Sequence, residues 1–152
     1  MFPTLLRPSL ALMALLCTLP ALAAEYEVKM LDKGREGSMV FEPAFLRIAP
    51  GDTVRFEPMN KGHTVASIPG MLPPGAAGFV GAFNAETDVT FAKPGVYGLQ
   101  CPPHYGMGMV ALVVVGTPDN EPVTKAVHHP LHAAERFEAL FAILDGKAAA
   151  GP

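Results

Sequence analysis

Between residues 26 and 115 the chain is dominated by short stretches in which apolar and polar positions alternate. Tyr26–Met30 alternates. Thr53–Glu57 does so cleanly, with Val54 and Phe56 on one face and Thr53, Arg55 and Glu57 on the other, as a half-buried strand requires. Phe45–Ile48, Thr64–Ile68, Thr87–Phe91 and Val96–Gln100 are further predicted strands. Val110–Val115 is instead an unbroken apolar run rich in β-branched residues, which predicts a strand covered on both faces. Turn signals separate these segments at Pro50-Gly51-Asp52, Pro69-Gly70, Pro73-Pro74-Gly75 and Lys93-Pro94-Gly95. Short strands with turns at this spacing predict a mainly β domain, a sandwich or a barrel.

After Gly116 the period changes. Thr117–Pro122 reads as a linker or helix start, and a short helix is expected around Val123–His128. Leu131, Ala134, Phe137, Phe141 and Leu144, with Leu140, recur at helical spacing. Pro130 suits the first turn of that helix and Gly146 its end. The expected organisation is a β-sandwich over residues 25–116 and a helical extension over 117–147 packed on it as one domain.

Composition adds an address. The chain has 152 residues, half of them apolar, with 15 Gly, 16 Pro and no Trp. Its start has the pattern of a secretory signal: Arg7, then the apolar run Leu10–Leu19, then the small residues of Ala21–Ala24. The apolar run is shorter than the roughly 20 residues a membrane span needs. Residues 1–24 are therefore expected to be removed on export, with cleavage before Ala24 or Glu25 and no membrane attachment afterwards. Removal takes Arg7, so Lys+Arg falls from 11 to 10 against 14 acids, a formal charge of −4. A mildly acidic chain without a basic cluster gives no reason to expect nucleic acid as a partner. Removal also takes Cys17 and leaves Cys101 as the one cysteine. No internal disulfide is then possible, and a lone thiol in an oxidising compartment calls for burial or a ligand role.

Cys101 stands in Cys-Pro-Pro-His-Tyr-Gly-Met-Gly-Met, which places thiol, imidazole (His104) and thioether (Met109) within nine residues. The stretch lies between the predicted strands Val96–Gln100 and Val110–Val115, so it is a loop fixed at both ends. Pro102 and Pro103 restrict it, and Gly106 and Gly108 permit tight turns. A fourth donor must come from elsewhere. His128, His129 and His132 lie in the tail without a fixed geometry. His63 follows Asn60-Lys61-Gly62 at a strand edge. The set His63, Cys101, His104 and Met109 is the His₂Cys-plus-axial-Met donor set of a blue-copper electron-transfer site. Structural zinc prefers four Cys or His ligands, for which a thioether is a poor substitute. A copper chaperone or storage module would want exposed Met and His clusters, and a copper enzyme would want an open position on the metal.

At these residues the chain resembles the cupredoxins, the type 1 blue-copper family, and among them the pseudoazurins. The likeness extends to Met30–Gly34, Met39–Pro43, Pro50–Val54 and Asn60–His63, in the same order, and to the helical tail. The resemblance implies a cupredoxin-like Greek-key β-sandwich of about eight strands with two C-terminal α-helices. It implies one type 1 copper ion held by His63, Cys101, His104 and Met109, and a monomeric periplasmic electron shuttle. The implied transient partner is nitrite reductase or another periplasmic redox enzyme of denitrification, such as nitrous oxide reductase. Pro103, Gly106 and Met107 would form an apolar patch around His104, ringed by Lys33 and Lys61. Gln100 and Val80 stand where further lysines of that ring are expected. Asn60 and Thr64 would support the ligands from behind, with Thr64 at a position where the family commonly has asparagine.

Overall fold

The computed structural model describes residues 22–150. The signal segment expected at residues 1–24 lies almost wholly outside them. Eight strands form two four-stranded sheets. The first sheet contains β1 (Glu25–Gly34), β2 (Gly37–Glu42), β4 (Asp52–Pro58) and β6 (Thr87–Phe91), in the order β2-β1-β4-β6. The second contains β3 (Phe45–Ile48), β5 (Ala66–Ser67), β7 (Gly95–Gln100) and β8 (Val110–Val115), in the order β3-β8-β7-β5. β1 pairs parallel with β4, and β3 parallel with β8; the other pairs are antiparallel. Two helices follow, α1 (Glu121–Lys125) and α2 (Leu131–Leu144). No helix among the described residues is long and apolar enough to cross a membrane.

The predicted burial of Val110–Val115 on both faces is observed, since all six residues are buried. Ala111, Val113 and Val115 face the first sheet, where they join Val28, Met30, Val54, Phe56 and Phe91 in the inter-sheet core. Val110 and Leu112 face the other way and pack under Ala133, Phe137, Leu140 and Phe141 of α2. The helix therefore closes the outer face of the second sheet.

Three expectations need correction. Leu131 is 71% exposed. It lies six residues before Phe137, about 120° away around a helix of 3.6 residues per turn, so it misses the buried face that Ala133 occupies. The first helix starts at Glu121 and ends at Lys125, earlier than Val123–His128. Of Thr64–Ile68, only Ala66–Ser67 pairs as a strand.

β5 is too short to cover β7, and other groups do so. Ile68 N–H donates to the Gly98 carbonyl and Gly98 N–H to the Met71 carbonyl, both at 2.9 Å. The buried Asn120 side chain accepts from Val96 N–H at 2.7 Å and donates to the Val96 carbonyl at 2.9 Å. The backbone of β7 is thereby satisfied along the edge that β5 leaves open.

Candidate metal centre

The Cys101–Met109 loop continues the pairing of β7 with β8. The last ladder pair is Gln100 with Val110. One step further, Cys101 N–H donates to the Met109 carbonyl at 2.9 Å, so these residues stand opposite each other across the strands. Residues so placed bring their Cβ atoms to within about 5.5 Å. Side-chain alternation then fixes the direction. Tyr97, Leu99 and Cys101 share one row, and Met109, Ala111 and Val113 another, and both rows point into the inter-sheet core. Cys101 and Met109 have no exposed surface.

A 3-10 turn over Pro102–Met107 spans the gap. His104 N–H donates to the Cys101 carbonyl at 2.9 Å, and Met109 N–H to the His104 carbonyl at 3.2 Å, so His104 is tied to both neighbours. The two prolines suit the first turn, where no N–H partner is needed. Gly108, at φ 89°, ends it in a conformation that favours glycine. Pro103, Gly106 and Met107 are exposed around the half-buried His104.

His63 arrives from the other side of the sandwich end. It is fully buried, and its carbonyl accepts from Asn84 N–H at 2.8 Å. The Asn84 side chain accepts from Gly62 N–H at 2.5 Å. One ligand-capable atom each from His63, Cys101 and His104 lies within 4.8 Å of the others. The Cys101 Sγ stands 3.9 Å from Nδ1 of His63 and 3.5 Å from Nδ1 of His104. Bonds of about 2.0 Å to nitrogen and 2.3 Å to sulfur, set at a trigonal angle, separate the two donors by about 3.7 Å. The observed distances bracket that separation, so the three residues fit a metal ion between them.

Protonation agrees with that use. Burial pushes the Cys101 thiol up, while the backbone N–H groups of Thr64 and His104 pull it down. The thiolate that a metal needs is thus disfavoured by its surroundings until a cation arrives. Burial pushes the His63 imidazole below its ordinary value, opposed by a hydrogen bond to Asp32. A neutral ring with its Nε2–H given to Asp32 keeps a free lone pair on Nδ1, the atom facing Cys101.

The remaining expected residues are dispersed around this cluster. The Thr64 hydroxyl donates to the Gly81 carbonyl at 2.8 Å. The Asn60 side chain accepts from Asp32 N–H at 2.9 Å. Lys33 and Lys61 are exposed. Gly62 lies beside His104: a Cβ there would sit 3.7 Å from the ring, in ordinary contact. Two of the three tail histidines have other partners: His129 bonds the Tyr105 hydroxyl at 2.6 Å and stacks on Phe137, and His132 faces Glu135; His128 is exposed. Sequence reasoning missed Asp32 and Asn84. Asp32 looks like any solvated charge near a strand end, and Asn84 differs only in tolerating the positive φ of 60° found there.

Two four-stranded sheets closing over a Cys-His-His cluster at one end, with two of its three members buried, define a cupredoxin. The sequence profile of copper-binding proteins of the plastocyanin/azurin family matches residues 28–116. A pseudoazurin of Methylorubrum extorquens is 47% identical over 142 residues, covering 93% of this chain and 96% of that protein. A pseudoazurin of Paracoccus pantotrophus is 47% identical over 121 residues, covering 79% and 83%. The crystal structure of pseudoazurin from Methylobacterium extorquens AM1 superposes with a TM-score of 0.77 at 49% identity, covering 79% of this chain and 98% of that one. The chain belongs to the plastocyanin/azurin family of copper-binding proteins, in its pseudoazurin branch. It is a copper-dependent electron-transfer protein and not an enzyme.

Proposed function

We propose that His63, Cys101, His104 and Met109 hold the copper, and that the exported protein carries single electrons in the periplasm to nitrite reductase or a similar redox enzyme. Bound copper supplies a Cu(I)/Cu(II) couple that gives up or takes one electron without making or breaking a bond to substrate. The chain's own residues do the rest. Cys101 and Met109 bring sulfur donors from adjacent strands, and the apolar core behind them excludes water. The turn and the His63 loop restrain the two imidazoles, so little rearrangement accompanies a change of oxidation state. His104, the partly exposed member of the cluster, is the electron exit, and Pro103, Gly106 and Met107 form the small apolar surface a partner meets. Redox contacts of this kind are small and short-lived. Lys33 and Lys61 flank that surface and would steer a partner with an acidic patch.

The observation that carries this reading is the buried convergence of Sγ and two Nδ1 atoms from segments 38 residues apart. Its test is the visible spectrum. Copper-loaded oxidised protein should show an intense band that Cys101→Ser abolishes. Copper-loaded wild-type protein that stays colourless would refute the assignment.

A further inference from the structure

Asp32 lies near the end of β1, 31 residues before His63, and its Oδ1 accepts from Nε2 of that ring at 2.9 Å. The two groups differ sharply in surroundings: the imidazole is fully buried, whereas the aspartate side chain is 51% exposed. The backbone that carries the carboxylate is held in place. Asp32 N–H donates to Asn60 Oδ1 at 2.9 Å, and Met59 N–H donates to the Met30 carbonyl at 3.0 Å, clasping β1 to the segment leading into His63. His63 is its one ion-pair partner among the described residues, so no lysine or arginine neutralises it.

We propose that Asp32 is a positioning residue of the copper centre: it fixes the His63 ring and, through its uncompensated charge, favours the oxidised ion. The inference rests on the reading of His63 as a copper ligand. Two physical effects act in the same direction. A carboxylate accepting the outer N–H makes the inner nitrogen a stronger donor. A negative charge one ring away is attracted more strongly to a doubly charged centre than to a singly charged one. An amide at the same place would keep the hydrogen bond and lose the charge, which makes Asp32→Asn the discriminating change.

The experiment is redox titration of the copper-loaded protein against mediators of fixed potential, with the visible and paramagnetic resonance spectra recorded alongside. Asp32→Asn is expected to leave the visible band in place and to lower the equilibrium constant for oxidation of the reduced protein about tenfold, a rise of about 59 mV for one electron. Asp32→Ala, which loses the bond as well, is expected to weaken cupric-ion affinity a further 10-fold or so and to alter the resonance spectrum. An equilibrium constant for Asp32→Asn within about twofold of wild type overturns the role of the charge. Unchanged affinity and spectra in Asp32→Ala overturn the positioning role. His63→Ala separates this inference from the reading beneath it. If that variant keeps the wild-type band and affinity, the ligand assignment itself fails. If it loses both while the Asp32 variants behave as wild type, only the present inference fails.

Discussion

Asp52 binds two separate segments at once. Its carboxylate accepts from Ala24 N–H and from Ala49 N–H, each at 2.8 Å, just where the chain turns through Pro50-Gly51 into β4. Those two bonds hold the carboxyl below its ordinary value. The folded state therefore binds fewer protons than the unfolded chain in the acid range. The stabilisation is fully present above the unfolded aspartate value of about 3.9 and is lost as pH falls through the lower folded value. In a chain that retains Ala24, Asp52→Asn is thus expected to lower the melting temperature at neutral pH, with the gap to wild type closing below about pH 4. Parallel melting curves at both pH values would show that the carboxylate charge does not act here. Asp32 makes the same point about single residues. Both aspartates are unremarkable in sequence, and both act through bonds to groups 28 or more residues away that only the fold brings near.

Among the elements, legibility follows locality. β4 and β8 were visible because one face or both faces of each are buried in a regular pattern. β2 gave no alternation. Met39 takes a positive φ of 52° there, and the adjacent Val40 and Phe41 are both buried, so the two-residue period breaks. The candidate donors Cys101, His104 and Met109 could be nominated together because a single hairpin carries them. His63 could be nominated by its chemistry but not located by spacing, since its approach depends on how the two sheets stack. The role of Asn120 was likewise out of reach, because it answers to the shortness of β5. It replaces a missing strand by pairing both backbone groups of Val96 with one amide. Asn120→Ala leaves a buried N–H and a buried carbonyl without partners, and at about 1–3 kcal/mol for each unpaired group the expected loss is about 2–6 kcal/mol. Urea denaturation measures it. A loss below about 0.5 kcal/mol, the level of an ordinary surface change, would mean that water or a shifted backbone takes over the pairing.

At the scale of the whole molecule, the placement of charge matters more to a partner than its sum. The chain carries a formal charge of −3, yet exposed Lys33 and Lys61 are the chain neighbours of Asp32 and Gly62, beside the His63–Cys101–His104 cluster. Lys61 directly precedes Gly62, the residue beside the His104 ring. A partner entering over Met107 and Pro103 would therefore pass close to this ammonium group. The field of an exposed charge reaches about 10 Å at 0.1 M salt and about 30 Å at 0.01 M. Steering by Lys61 must accordingly be strong in dilute buffer and vanish in concentrated salt. Lys61→Glu changes the local charge by two without touching the cluster, so the visible spectrum should stay close to wild type, and the measured potential of the variant sets the driving force against which its rates are compared. Mixed rapidly with an acidic-patched nitrite reductase at about 0.01 M salt, the variant should transfer electrons about tenfold more slowly. At about 0.5 M salt the two rates should converge. A deficit that persists at high salt would point to a broken contact in place of lost steering. Equal rates at low salt would remove Lys61 from the docking surface and leave the apolar ring around His104 as the determinant of encounter.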